Sequence, residues 1–398
     1  MQKLTLNLIF IIPILGLIAG LSLGITIPLF MMASLYLIKD NIQVTFTKFK
    51  LELIFFLWLF LSCIWSINAV TSFVSLLKTF SLVLVTYILV THKEFLSREI
   101  PIQKQRLGTA IIGSLILFYV EFASDGAISL WFRSSFQTKE SHQFYLHYLD
   151  RGCTLLALFA WAVITQLLRN HKNMTAILLY LIVTVTLALS DSLAALVGFI
   201  VAGPVFLLTK YTFFGNPKIL SFILVGAVLV FTAMATTLKP YKLLEDADFL
   251  PISAKHRLFI WNFAAQKAIQ KPVLGWGHAS SRNFDITEAD MVDYQGHHLH
   301  PLPMHPHNNL LQILLETGII GLALYMALVC KYLFRWNDVF RRHNSKPDTS
   351  IKAAGYACFS TFFIISMISF NMWQSWWMCS FLWVAIIFSL ISKSALEE

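Results

Sequence analysis

The residues of this sequence best suited to chemistry lie where a long polar segment meets a hydrophobic one. His305, His307 and Asn308 stand directly before the apolar run that continues through Leu310 and Leu311. A neutral imidazole near pH 7 can take a proton from a hydroxyl group. Ionisable residues at a membrane surface are costly to keep there, which makes them candidates for function. His307 is therefore a candidate general base, and the alternative is an interfacial residue that only caps a helix.

The apolar run that follows is predicted to be a helix with one polar face. Asn309 and Gln312 have the spacing of a capping box, in which side chains satisfy the first free N–H groups of a helix. Asn308, Gln312 and Glu316 recur at every fourth position, so they share one face. The exposed N–H groups at such a helix start favour an anion such as phosphate.

Three arginines are candidates to bind that anion, since a guanidinium group contacts phosphate through two hydrogen bonds. Arg257 lies in a predicted helix that ends before Pro272, Arg151 opens an apolar span, and Arg282 follows two serines. The simpler alternatives are an interfacial anchor for Arg257 and a snorkelling side chain for Arg151. All three arginines are stronger candidates for ligand binding only if the ligand is anionic.

Four glycines near these residues predict close approaches of the backbone. The segment 275–277, after Pro272, reads Gly-Trp-Gly and is expected to form a flexible turn that brings backbone near a ligand. Gly318 and Gly321 lie on the predicted helix and are expected to let a neighbouring helix come close.

The histidines are concentrated in one part of the chain but do not predict a metal site. The segment 297–307 contains five of them without an H-E-x-x-H or comparable ligand set, and its prolines make it extended. The five cysteines lie in or at the edges of apolar segments and form no C-x-x-C pair. We expect no metal, no cofactor and no disulfide framework.

Composition places these residues in a polytopic membrane protein. The 398 residues are 57% hydrophobic and 13% charged, whereas a soluble domain has about 25% charged residues. A membrane span needs about 20 apolar residues. The predicted fold is all-α with about twelve spans, at 4–20, 22–38, 52–67, 72–90, 108–124, 152–168, 174–190, 192–209, 219–237, 308–330, 353–370 and 372–391.

The distribution of charge predicts how the chain is oriented. Lys and Arg cluster in every second loop and are absent from the loops at 68–71 and 190–192. This is the positive-inside pattern, and it places both termini in the cytoplasm. The net charge of +9 then reflects topology and does not indicate nucleic-acid binding.

Three regions follow from this topology. Residues 1–237 are predicted to hold nine spans and a shorter periplasmic loop at about 125–151. Residues 238–306 are predicted to form one large periplasmic loop, and residues 307–398 the last three spans. The candidate residues thus gather at the periplasmic face of the membrane.

These motifs resemble those of the O-antigen ligase and polymerase family of bacterial envelope glycosyltransferases. The ligase pattern is His, then Asn, Ser or Gln, nine residues, Gly, two residues, and Gly, Thr or Tyr, and 307–321 fits it at every place. The family also has Arg-Leu-x-x-Trp followed by Pro-x-x-Gly-x-Gly, which 257–261 and 272–277 match. The specific resemblance covers about 253–325.

The resemblance implies a GT-C-like enzyme of the inner membrane that works without a metal. The donor would be a glycan on undecaprenyl diphosphate, the acceptor lipid A-core, and the transfer would invert the anomeric carbon. By this analogy His307 is the general base and Arg257 holds the diphosphate, with further substrate contacts from His305, Asn308, Arg151 and Arg282. Many members also carry arginine where this chain has Leu193. Either Arg151 or Arg282 supplies that contact, or the donor binds differently.

Alternatives from the same family are a polysaccharide polymerase and a protein O-oligosaccharyltransferase, because the donor chemistry is shared and only the acceptor differs. A transporter of a lipid-linked anion belongs to another class and would carry charged residues along a path through the membrane. The charges within the predicted spans are few and scattered, namely Lys78, Glu52, Glu121 and Glu316. This pattern favours chemistry at the membrane face.

Overall fold

The computed structural model of the protein describes residues 12–37, 48–136, 143–245, 249–341 and 349–397. Its α-helices are α1 (Ile12–Ala19), α2 (Leu23–Leu37), α3 (Lys50–Ser62), α4 (Ala69–Thr91), α5 (Lys93–Ala123), α6 (Ala127–Phe136), α7 (Asp150–Arg169), α8 (Asn173–Leu189), α9 (Leu193–Tyr211), α10 (Pro217–Thr237), α11 (Pro240–Leu243), α12 (Ile252–Gln270), α13 (Asn309–Arg341), α14 (Thr349–Ile368) and α15 (Ser375–Glu397). One antiparallel hairpin, β1 (Val292–Tyr294) and β2 (His297–Leu299), lies between α12 and α13. The predicted all-α class is confirmed.

Eight helical segments of the described chain are long and apolar enough to cross a membrane, so the protein is a multi-pass membrane protein. They are Ile12–Tyr36, Ala69–Thr91, Leu146–Arg169, Leu193–Tyr211, Pro217–Thr237, Asn309–Phe340, Thr349–Ile368 and Ser375–Ser392. Two more apolar helices, Leu107–Ala123 and Asn173–Leu189, are shorter.

The predicted number of twelve spans is not confirmed. The structure has a single candidate span, Ile12–Tyr36, where the sequence predicted two, and residues before 12 lie outside the described part. Helix α3 has 13 residues, which at 1.5 Å per residue reach about 20 Å. This is less than the roughly 30 Å of a bilayer core.

The first apolar core surrounds α7, which packs against α1, α5, α8, α9, α14 and α15. Glycines bring α1 and α7 together, since a Cβ on Gly152 would lie 2.4 Å from the side chain of Leu17. The indole N–H of Trp161 donates to the Thr361 hydroxyl at 3.0 Å and joins α7 to α14. This packing of α7 fixes the position of its first turn, where Asp150 and Arg151 lie.

The second apolar core surrounds the first half of α13, which packs against α3, α10 and α12. Ile260 of α12 and Leu310 of α13 belong to the same buried cluster. Arg257 stands one helical turn before Ile260, and His307 stands one turn before Leu310. Packing of these two helices thus brings Arg257 and His307 to the same end of the cluster.

Helix α13 is kinked at Gly318, whose φ of +67° and ψ of −170° are not helical. The turn at 272–277 supplies hydrogen bonds there: the Trp276 N–H donates to the Leu315 carbonyl at 2.9 Å and the Gly277 N–H to the Glu316 carbonyl at 2.7 Å. A Cβ on Gly318 would lie 2.1 Å from the Val273 carbonyl oxygen. This turn is therefore the element that approaches Gly318. The prediction that a neighbouring helix approaches Gly318 is wrong. The 272–277 turn thus packs on the backbone of α13.

Candidate active site

His307 lies in the turn before α13, in a left-handed backbone conformation with φ of +51°. Its Nδ1 is 2.7 Å from the carbonyl oxygen of Ser369, just after the end of α14. A carbonyl oxygen only accepts hydrogen bonds, so Nδ1 carries the proton and the lone pair of the neutral ring is on Nε2. Nε2 has no hydrogen-bond partner among the residues that the structure describes. The arrangement leaves it available as a base.

His305 shares the anchor of His307. Its Nε2 is 3.2 Å from the same Ser369 oxygen, and the two imidazole rings have centroids 4.1 Å apart. A carbonyl oxygen has two lone pairs and can accept from both rings. One backbone group of the α14–α15 connection therefore orients both histidines.

Burial keeps both rings neutral. Burial is the main cause that lowers the pKa of His307 to about 4, and the neighbouring Arg257 and His256 contribute to the lowering, against the bond to Ser369. Burial is likewise the main cause that lowers the pKa of His305 to about 3, and the neighbouring His307, Arg282 and Arg257 contribute to the lowering, against the bond to Ser369. At pH 7 each imidazole can accept a proton and neither repels a cation.

Arg257 projects from the first turns of α12 as a half-buried cation. One terminal nitrogen donates to the Ser253 carbonyl at 3.1 Å, while Nε is buried without a hydrogen-bond partner in the described chain. Burial lowers the pKa of Arg257, and the carboxylate of Asp150 opposes this effect. A guanidinium group with unused donors beside a neutral histidine is suited to an anionic ligand.

Arg151 and Arg282 are placed differently from Arg257. The Arg151 guanidinium lies over the Trp376 ring, 5.7 Å from its centroid. Arg282 is exposed and lines a separate cavity with Lys78. The charge of Arg257 thus acts on both histidines and that of Arg282 on His305, while Arg151 stacks against α15.

Asn308 is a structural cap. Its Oδ1 accepts from the Leu311 N–H at 3.0 Å, and its Nδ2 donates to the Met367 carbonyl at 2.9 Å. Both ends of the amide are therefore engaged in joining α13 to the end of α14. The predicted capping box at Asn309 is wrong, because the Gln312 amide instead donates to the side chains of Glu316 and Asn371 and accepts from the Met372 N–H.

Glu316 lies fully buried on the polar face of α13. Its carboxylate accepts hydrogen bonds from five donors, which are the backbone N–H groups of Ala279 and Ser281, the Ser281 hydroxyl, the Gln312 amide and the Trp373 indole. These partners come from three separate segments of the chain. Glu316 therefore holds the 279–282 turn and the α14–α15 connection against α13.

Three groups near the site were not anticipated from the sequence. Asp150 lies close enough to Arg257, Arg151 and Asp191 to interact with their charges, and its signal was an acidic residue in the first turn of a span. Asp191 lies two residues before Leu193, the position where the family resemblance implied an arginine, so this chain has an acidic group in that segment. The Ser369 carbonyl had no signal, since any residue supplies a backbone oxygen.

His298 of the β1–β2 hairpin bonds to acidic residues of its own segment. His298 on β2 bonds to Asp293 at 2.7 Å and to Glu288 at 3.1 Å on an exposed surface. Among the described residues no group of three or more His, Cys, Asp or Glu side chains has the arrangement of a metal site.

The helices define a multi-pass membrane protein whose candidate site is a histidine pair beside a cation at the ends of α12, α13 and α14. The sequence family described as O-antigen ligase matches residues 177–326. A protein of Rickettsia typhi named as a candidate polysaccharide ligase is 38% identical over 99% of this chain and 98% of its own length. A similarly named protein of Rickettsia prowazekii is 37% identical over 99% and 98%. The chain belongs to the O-antigen ligase family, and this makes it an enzyme of the polysaccharide-ligase type.

Proposed function

We propose that the protein transfers a glycan from undecaprenyl diphosphate to lipid A-core at the periplasmic face of the bacterial inner membrane. The observation that carries the proposal is that only one ring nitrogen of His307, Nε2, is left to act as a base. Its Nδ1 is held by the Ser369 carbonyl, which leaves Nε2 without a partner in the described chain, and the charge of Arg257 acts on the ring. Family membership supports the ligase-type reaction, and the charges at this site support an anionic donor.

In the proposed reaction the acceptor hydroxyl oxygen attacks the anomeric carbon of the donor sugar. Its proton moves to Nε2 of His307, while the bond from the anomeric carbon to the diphosphate oxygen breaks. Undecaprenyl diphosphate leaves with the bonding electron pair, and Arg257 stabilises the charge that develops on it. Attack opposite to the leaving group inverts the anomeric carbon. No metal, cofactor or covalent intermediate with the protein is needed.

The proposed topology places both termini in the cytoplasm and residues 238–306 in the periplasm. Helix α12 and the β1–β2 hairpin support a loop outside the bilayer there, since neither is among the candidate spans. The basic residues of the other loops support it through the positive-inside pattern. The residues proposed to contact the two substrates are Arg257, Arg151, Arg282, His305 and His307.

The test is lipopolysaccharide banding in a host that lacks its own ligase and retains its lipid-linked glycan. Wild type, His307→Ala and a control, His298→Ala, are compared at matched membrane expression. The control removes an exposed histidine of the same predicted loop. We expect wild type and His298→Ala to restore long-chain bands and His307→Ala to leave bare core.

Two results would contradict the proposal. If His307→Ala forms long-chain bands as fast as wild type, His307 is not the base. If wild type leaves bare core but lengthens the lipid-linked glycan in the same cells, the enzyme is a polymerase. Glycan attached to protein instead of lipid would identify an O-oligosaccharyltransferase.

A further inference from the structure

A second polar site lies beside the histidine pair, in a cavity of about 280 Å³ between α4, the 279–282 turn and α13. Its polar lining consists mainly of Lys78, Arg282, Gln312, Glu316 and Asn371. His307 and Arg257 do not line it. The volume is near the lower limit of about 300 Å³ for small-molecule pockets, so the cavity fits one headgroup or sugar of a larger molecule.

Two cations face this cavity without a counterion. Lys78 lies on α4 and its Nζ donates to the Trp373 carbonyl oxygen at 2.9 Å. Arg282 is exposed, and its guanidinium makes no hydrogen bond or ion pair to the described part of the chain. The two positive charges are close enough to interact. Like charges that share a partly buried site repel each other, and an anion between them removes that cost.

The cavity contains one carboxylate among its described lining residues, and this group is already used. Glu316 accepts from five donors of the protein and is fully buried. It forms no ion pair with Lys78 or Arg282 within 4.0 Å. His278 lies behind the cavity against Trp373, with ring centroids 4.5 Å apart. Burial and the charge of Lys78 lower the pKa of His278 to about 3, so its ring is neutral and supplies no counterion.

Arg282, which lines the cavity, is close enough to His305 for its charge to affect that ring. Arg282 affects His305 more strongly than Arg257 does, whereas the leading charge on His307 is that of Arg257. The donor diphosphate is assigned to Arg257 in the proposed function, so the cavity is left for the other substrate.

We propose that this cavity binds an anionic group, a phosphate or a carboxylate, on the acceptor glycolipid. The inference rests on the proposed function for the identity of the acceptor, and on the geometry of Lys78 and Arg282 for the anion. Lys78 supplies a point charge at depth, and Arg282 supplies a planar fork at the rim. Together they would hold the acceptor so that its hydroxyl reaches Nε2 of His307.

The experiment is equilibrium binding of labelled lipid A-core to the full-length protein in nanodiscs of phosphatidylcholine, a lipid without net charge. Lys78→Met and Arg282→Gln are compared with wild type, with Arg282→Lys and with Lys242→Met. The last variant removes an exposed lysine of α11 outside the cavity and controls for net charge. Melting temperatures of all variants check that they fold.

We expect the Kd for lipid A-core to rise about 10- to 100-fold in Lys78→Met and in Arg282→Gln, the range for losing a charged hydrogen bond. Lys242→Met should bind as wild type, and Arg282→Lys should lie between. Two further probes are lipid A-core without phosphates and lipid A-core with its carboxylates methyl-esterified. If the cavity binds a phosphate, the acceptor without phosphates should bind wild type weakly, and Lys78→Met should weaken its binding no further. If the cavity binds a carboxylate, the methyl-esterified acceptor should behave in this way.

The inference is overturned if Arg282→Gln and a folded Lys78→Met both bind lipid A-core as tightly as wild type. It is equally overturned if neither treatment of the acceptor changes its affinity for wild type. These results are distinct from a failure of the proposed function. If binding responds to both variants but wild type transfers no glycan, only the transfer reaction is contradicted.

Discussion

Two groups of polar residues at the start of α13 differ in how fully their hydrogen-bonding capacity is used. Glu316 is buried and accepts from five donors of the protein. His307, nine residues earlier, is half-buried and bonds to the protein only through Nδ1 within the described chain. Arg257 likewise has a buried Nε without a partner there.

The difference separates structure from function. A buried polar group whose partners all come from the protein holds those partners in place. A polar group that is oriented by the protein and left with a free donor or acceptor is ready to bind a substrate. By this criterion Glu316 and Asn308 hold the site together, while His307 and Arg257 are the residues that we propose to act on the substrate.

The largest change in stability is expected from Glu316→Gln. An amide has one carbonyl oxygen, so donors such as the Ala279 N–H and Trp373 indole would face an NH₂ group in place of an acceptor. Breaking a buried charged network costs about 3–5 kcal/mol. Thermal unfolding in detergent would measure it, with the exposed carboxylate variant Glu288→Gln as the control. A stable Glu316→Gln protein without transfer activity would instead assign Glu316 to the chemistry.

The next effect is on rate and concerns Arg257→Gln. Loss of one preorganised donor to a developing charge lowers kcat by about 10²–10³-fold. The melting temperature should be unchanged, because the guanidinium makes one hydrogen bond, to a carbonyl in its own helix. Transfer kinetics in proteoliposomes would measure the rate, with Lys242→Gln as the matched control. An unstable variant, or a normal rate, would remove Arg257 from the donor site.

A smaller effect is expected from Gly318→Ala, which tests how the 272–277 turn supports the polar face of α13. The residue has φ of +67°, and a Cβ would lie 2.1 Å from the Val273 carbonyl oxygen. Strain of this kind costs about 1–3 kcal/mol. Gly226→Ala on α10 is the control, because a Cβ there meets no atom within 4 Å. Equal melting temperatures for the two variants would show that the kink tolerates a side chain.

The smallest effect is expected from pH. With the pKa of His307 lowered to about 4 by burial, the ring is a neutral base throughout the range from pH 6 to 8. The kcat/KM of transfer, which reports the free enzyme, should be flat there and should fall only as acid protonates the ring near pH 4. A base with an ordinary pKa of about 6.5 would lose roughly fourfold by pH 6. Such a loss would contradict the burial of His307.

Much of the site was predictable because it depends on local spacing. The separation of His307 from Gly318 and the Arg257 motif marked the residues that the structure brings to one end of the second core. The role of Gly318 was predicted only in part, since spacing indicates a close approach but does not identify the approaching element.

The remaining contacts depend on tertiary packing. Arg151, Arg257 and Arg282 have equal chemical character in the sequence, and only the fold stacks one on Trp376 and places another at a cavity. The Ser369 carbonyl lies about sixty positions from His307 and is backbone, so no side-chain pattern marks it. The predicted number of spans is not confirmed, because short apolar helices such as α3 do not have the length to cross a bilayer.

The most direct test of the account is the transfer rate of His307→Asn in proteoliposomes. Asparagine tolerates the left-handed backbone of position 307, and its amide N–H can replace Nδ1 in the bond to Ser369. It has no counterpart of Nε2. We expect the melting temperature of wild type and a rate lower by about 10²–10⁴-fold, the contribution of a general base. A rate equal to that of wild type would show that His307 only orders the turn before α13.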